Sequence, residues 1–153
     1  GISPRMRLDV SVNLLTMQAL KNGKITVFGG NQVRPNIHIE DITDIYLHFL
    51  ENPQFSGVFN AGFENMSILD IANLVKKHVG AEIEVTPSND PRSYRLNSNK
   101  LLSTGYKPKK CIEDAISEIA VSFRAGQLKD EIHFYNLNWM LKTGILKEVE
   151  YAN

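Results

Sequence analysis

Cysteine is nearly missing. The 153 residues hold one, Cys111, which excludes an internal disulfide framework and any zinc site built on several thiolates. Net charge is missing too, because 17 Lys and Arg balance 17 Asp and Glu. That balance argues against nucleic-acid binding through bulk positive charge and against a polybasic membrane anchor. It leaves room for a few local arginines aimed at phosphate. No apolar run approaches the roughly 18 residues of a spanning helix, and Gly1-Ile2-Ser3-Pro4-Arg5 has no apolar stretch of the secretory kind. The expectation is a cytoplasmic protein with neither membrane nor nucleic acid among its partners. Asn65-Met66-Ser67 fits the glycosylation pattern and reads as chance in a chain with one thiol and no signal segment. Repeats and low-complexity runs are absent. What is there, 42% hydrophobic and 22% charged residues, is an ordinary globular composition at a length of about one domain.

Apolar residues at Val10, Val12, Leu14, Leu15, Met17, Ala19 and Leu20 give a helix within Leu8 to Lys21 one wide apolar face, and Asn22-Gly23 stops it. Lys24 to Phe28 is β-branched and aromatic and closes on Gly29-Gly30, a strand and a turn. Asn36 to Ile39 is a second extended piece. Asp41 is expected to cap a helix running through Leu50, and Gly57 to Gly62 reads as a buried strand. Ser67 caps a helix from Ile68 to Val79 that Gly80 ends. Glu82 to Thr86 alternates as a strand closed by Pro87, followed by a polar loop, Ser88 to Ser98. Asn99 to Gly105 and Ile112 to Arg124 are further helices, and the tail with Phe134, Tyr135 and Trp139 reads as helical. Helices alternating with few short strands give an α/β class with α+β character.

Three segments carry chemistry. Arg34 follows the Gly29-Gly30 turn and offers the planar fork that suits phosphate; the plainer alternative is an exposed turn arginine beside a packed His38 and a capping Asp41. Arg92, Tyr94 and Arg95 sit in a loop begun by Pro91, suited to clamping a diphosphate and stacking on a sugar or base, or else simply solvated. Arg5 and Arg7 are the weakest candidates. Cys111 follows Lys109-Lys110, which favours a thiolate, yet its place before a helix reads as a cap-region thiol. His38, His48, His78 and His133 are scattered and suggest no metal set.

The order of these segments is more specific than any one of them. Ser3-Pro4-Arg5-Met6-Arg7-Leu8-Asp9, Asn13, Ile25-Thr26-Val27-Phe28-Gly29-Gly30 and Arg34-Pro35-x-x-His38-Ile39-x-Asp41 come first. Gly57-Val58-Phe59-Asn60-Ala61-Gly62, Arg92-Ser93-Tyr94-Arg95, Asn99-Lys100-Leu101 and Gly105-Tyr106-Lys107-Pro108 follow. Together they resemble the second half of the extended short-chain dehydrogenases/reductases, the NAD-dependent sugar-nucleotide epimerases and dehydratases, across residues 1–126. The resemblance implies a substrate-binding half of that fold without the Rossmann cofactor half, with residues 127–153 as a separate aromatic tail.

It further implies that Asn13 hydrogen-bonds the substrate diphosphate or sugar, and that Val27 and Phe28 lie in the edge against the nucleotide base. Arg34 and Arg92 would grip the diphosphate of a nucleoside-diphosphate sugar, with Tyr94 and Arg95 in the same loop. His38 and Asp41 would be architectural, orienting a strand end and capping a helix. NAD or NADP is expected in the intact enzyme and not in this chain, which lacks the G-x-x-G-x-x-G turn. Tyr106 and Lys110 form a literal Tyr-x-x-x-Lys, but Pro108 lies between them and breaks the helix that pair needs. No catalytic residue is therefore expected here. The cofactor half would come from a missing N-terminal part or a separate chain. The alternative is a non-catalytic binding or assembly module, and self-association is left open.

Overall fold

The computed structural model describes residues 1–88 and 91–146. Helix α1 spans Ser11–Asn22 and ends at Gly23, whose φ of 64° is left-handed. It starts three residues after the apolar pattern does, because Leu8 is fully buried while its N–H is donated to the Phe134 carbonyl at 2.9 Å. Strand β1, Lys24–Phe28, follows at once. The second strand, β2, is Val33–Asn36, and helix α2 is Ile39–Glu51. Strand β3 is Glu64–Ser67 and runs straight into α3, Ile68–Val79. Ser67 caps α3 by accepting the Asp70 N–H at 3.1 Å. Strand β4 is Glu82–Thr86, α4 is the single turn Asn99–Leu102, α5 is Ile112–Arg124 and α6 is Asn136–Lys142.

Two small sheets organise these elements. β1 and β4 pair in parallel, Lys24 opposite Glu82 through Phe28 opposite Thr86. This pair, α1, α3 and α5 share one apolar core built on Leu15, Ile25, Val27, Ile71, Val75 and Ile116. β2 and β3 pair antiparallel, Arg34 opposite Met66 and Asn36 opposite Glu64. A separate cluster joins Ile45 of α2 to Leu101 and Tyr106, with Phe49, Phe59 and Phe63 against it. Among the described residues no helix is long and apolar enough to cross a membrane.

Several expectations are corrected. The second extended piece begins at Val33 rather than Asn36, with Pro35 inside it. Pro35 has no N–H to lend a ladder, but each strand of a two-stranded ribbon is an edge, where proline is tolerated. Residues 57–62 pair with no strand among the described residues, and Val58 is 84% exposed. Instead Ser98 Oγ accepts the Gly62 N–H and donates to the Gly62 carbonyl, both at 3.0 Å. The cap of α2 is His38, whose Nδ1 accepts the Glu40 N–H at 3.2 Å. Asp41 sits inside the first turn, 1% exposed. Its carboxylate takes the Tyr106 hydroxyl at 2.7 Å and the Lys109 and Lys110 backbone N–H groups at 2.9 and 3.2 Å. Asp41 thus anchors a distant turn rather than capping its own helix. Of the tail, α6 is helical and residues 147–153 lie outside the described residues.

Candidate functional site

A cleft of about 520 Å³ opens between the β2–β3 ribbon and the first turns of α1, α2 and α5. Arg5, Arg7, Asn13, Arg34 and Glu64 supply polar groups to it, and Ile39, Ile42, Ile68 and Ile112 supply apolar surface. Arg34 is delivered by β2. Its Nη1 donates to the Val33 carbonyl at 3.0 Å and also to the Arg92 carbonyl. The guanidinium carbon lies 5.3 Å from the centre of the Tyr94 ring, a cation–π contact that orients the fork.

Loop 91–98 reaches Arg34 because side chains bind its backbone to the ribbon. Ser93 Oγ accepts the Val33 N–H at 3.0 Å, and Tyr94 N–H donates to the Val33 carbonyl at 3.2 Å. Asn65 then acts like a strand partner: its Oδ1 accepts the Leu96 N–H at 2.8 Å and its Nδ2 donates to the Leu96 carbonyl at 2.9 Å. Gly62 completes the closure. A Cβ there would stand 3.1 Å from both Leu96 Cδ1 and Pro35 Cβ, so only glycine lets loop and ribbon approach this closely without a shift.

The fold brings together Arg34, Tyr94 and the Arg92 backbone, with Asn13 on the same cleft. Asn13 is buried, its Nδ2 donating to the Arg7 carbonyl at 2.9 Å. It separates the others. Val27 is wholly buried in the main core, because alternation along β1 turns it away from solvent. Phe28 is 60% exposed at the strand end and does not line the cleft, nor do Arg92, Tyr94 and Arg95; Tyr94 and the Arg92 backbone meet the site through Arg34. His38 lines the cleft with a buried ring, its Nε2 3.1 Å from Glu118 Oε2. Because Nδ1 accepts a backbone N–H, Nε2 carries the proton and donates to Glu118.

His38, Glu40 and Glu118 present three ligand atoms within 4.8 Å of one another. Lys110 already supplies a cation there, its Nζ 2.8 Å from Glu118 and 3.6 Å from Glu40, and the proton on Nε2 blocks that nitrogen as a ligand. This is an ion-pair network. Burial pushes the Glu118 carboxyl up, but the hydrogen bonds from Lys110 and from the Ile2 N–H, with the Lys110 charge, outweigh it and hold the pKa below the usual glutamate range.

A nicotinamide dinucleotide would need backbone amides aimed at its pyrophosphate from a turn that opens a helix. The Gly29-Gly30 turn joins two strands, and its amides are spent. Gly29 N–H donates to the Thr86 carbonyl at 2.8 Å and Gly30 N–H to Gln32 Oε1 at 2.6 Å. These glycines do not fit the group. Tyr106 and Lys110 make no acid–base pair either. Burial and the Asp41 hydrogen bond drive the Tyr106 phenol far above its ordinary pKa, and Lys110 is engaged with Glu118. Cys111 donates its N–H and its Sγ–H to Asp114 Oδ2, and burial raises its thiol pKa, the reverse of a reactive thiolate.

Glu64 carries no signal in the sequence and Asn65 stands out only as a chance glycosylation match; their partners, Ile112 and Leu96, are far along the chain.

No protein-family model matches the chain. It is 30% identical over 112 residues to GDP-L-fucose synthase 1 of Arabidopsis thaliana, covering 66% of this chain and 34% of that protein. UDP-glucuronic acid 4-epimerase from Bacillus cereus, solved with UDP-glucuronic acid and NAD, superimposes with a TM-score of 0.67 at 26% identity, over 81% of this chain and 42% of that one. dTDP-glucose 4,6-dehydratase from Bacillus anthracis str. Ames, solved with NAD, gives 0.68 at 20% identity, over 82% and 42%. The chain thus spans about a third of the length of that curated relative. In sequence and fold the chain is thus similar to part of the extended short-chain dehydrogenases/reductases, the group of sugar-nucleotide epimerases and dehydratases to which these homologues and structural neighbours belong.

Proposed function

We propose that residues 1–126 are the substrate-binding portion of a nucleoside-diphosphate-sugar epimerase or dehydratase, and that the cleft receives the diphosphate. The observation that carries this reading is Arg34, set on the cleft wall with Tyr94 against its guanidinium and Arg92 beside it. A guanidinium oriented before binding loses less freedom when it grips an anion. Arg5 adds positive charge at the same opening, where Arg7 is paired with Asp9 at 2.7 Å, and Asn13 adds an amide. The isoleucine surface opposite suits the apolar faces of a base or sugar ring.

The intact enzyme would use NAD or NADP to take a hydride from the sugar and return it. The residues of this chain bind and orient the nucleotide and perform no proton or hydride transfer, since Tyr106 is locked on Asp41. The chain acts with a cofactor-binding part, covalently joined or separate, in a cytoplasmic setting.

Titration calorimetry with UDP-glucose, GDP-mannose, ADP-glucose and dTDP-glucose tests the reading. One of them binds saturably, and Arg34→Ala with Arg92→Ala together weakens it by several kcal/mol, since charge-assisted bonds contribute about 1.5–3 kcal/mol each. An unchanged affinity in the double variant, or no binding by the unsubstituted chain, contradicts it.

A further inference from the structure

Glu64 is the one carboxylate among the described lining residues of a cleft otherwise cationic, amide-bearing and apolar. Its Oε2 is fixed by the Ile112 N–H at 2.7 Å, so the group cannot swing out to solvent without leaving the first amide of α5 unpaired. A carboxylate has about four acceptor positions, and among the described residues Ile112 is its one hydrogen-bond partner. Ladder register sets its place. Glu64 is opposite Asn36, two residues from Arg34 on the same ribbon face, which makes Arg34 and Glu64 diagonal neighbours roughly 7–8 Å apart at the backbone. A group attached to a phosphate held by Arg34 is therefore within reach of Glu64.

We propose that Glu64 accepts hydroxyl hydrogens from the glycosyl unit of the ligand, and so selects a neutral, hydroxyl-bearing sugar over one that carries a carboxylate. The inference rests on the diphosphate reading of the cleft. Hydroxyls give the spare lone pairs their donors, whereas a sugar carboxylate sets like charge against a fixed, half-buried anion. Burial already lifts the pKa of Glu64; the Ile112 amide offsets part of that, and the Asp114 and Glu113 charges add to it. The ionised form at this position thus gains from added donors and suffers from added charge.

The test compares UDP, UDP-glucose and UDP-glucuronic acid by calorimetry, with GDP, GDP-mannose and GDP-mannuronic acid in parallel. The unsubstituted chain binds the neutral sugar roughly tenfold or more tighter than the uronate. Glu64→Gln, which keeps an oxygen for the Ile112 amide, brings the two within about threefold of each other by removing the repulsion. Glu64→Asp keeps the preference, and the affinity for the diphosphate without sugar is the same in all three proteins. A ratio near one in the unsubstituted chain overturns the proposal whatever the variants do. So does a preference that Glu64→Gln leaves intact, or an equal shift for UDP and UDP-glucose, which would put Glu64 on the ribose. If neither these six nor ADP-glucose nor dTDP-glucose binds, the diphosphate reading falls first and this inference with it; if one of the last two is the ligand, the same three-way comparison is made on its base.

Discussion

The layer of α1, α3 and α5 against β1 and β4 and the ribbon that carries Arg34 are held by different forces. The first is apolar burial: Ile25, Val27, Ile71, Val75 and Ile116 are all fully buried, and what matters is volume and hydrophobicity. In the second, Ser93, Asn65, Ser98 and Asp41 each bond backbone groups at least 31 residues away, and what matters is direction. Burial fixes that a layer forms and tolerates small shifts. Hydrogen bonds of stated partner and length fix where a guanidinium points, which a binding site requires. The candidate site is therefore found on the less apolar of the two regions.

Substitutions separate the two. Ile116→Ala empties part of the helical core and costs about 3–4 kcal/mol in denaturant unfolding; a loss under 1 kcal/mol would mean that α5 is not central to it. Asp41→Ala removes the acceptor of Tyr106 and of two backbone N–H groups and costs about 2–3 kcal/mol, because buried donors are left unpaired. Asn65→Ala costs about 1–2 kcal/mol in stability, yet it releases the loop that carries Arg92 and Tyr94, so nucleotide affinity falls more than stability does. Equal loss in both would make Asn65 a general stabiliser rather than a positioning residue.

The smallest effect is with pH. The Tyr106 pKa is raised by burial and by Asp41, and burial with the Asp130 bond raises Tyr135 to about 12. A phenol with a raised folded pKa holds its full contribution below the unfolded value of about 10. It loses that contribution as pH climbs toward the folded value. Thermal midpoints are thus expected to fall above about pH 10, with Tyr106→Phe falling less steeply; an identical slope would remove Tyr106 from the account.

The same contrast explains what could be read without coordinates. β1, α3, β4 and α5 carry local signals: alternation, an apolar stripe, Ser67 before the helix, glycine after it. The ribbon carries none. Pro35 reads as a breaker until it is known that the strand is an edge, and Glu64 to Ser67 contains no β-branched residue. Asp41 looks like a cap because its partners lie 65 to 69 positions away. Arg34, Arg92 and Tyr94 stand out as candidates, but their meeting depends on Asn65 and Ser93, whose partners Leu96 and Val33 no local pattern names. The alternation of β1 sends Val27 inward with Ile25 and leaves Phe28 exposed at the strand end.

The central claim is that a diphosphate sits where Arg34 meets loop 91–98. Backbone amide chemical shifts followed during titration with each of UDP-glucose, GDP-mannose, ADP-glucose and dTDP-glucose test it most directly. The account predicts saturable shifts largest at Val33, Arg34, Ser93, Tyr94 and Asn13, with the Gly29-Gly30 turn and α6 unmoved. Shifts centred on that turn, or none that saturate, would contradict it.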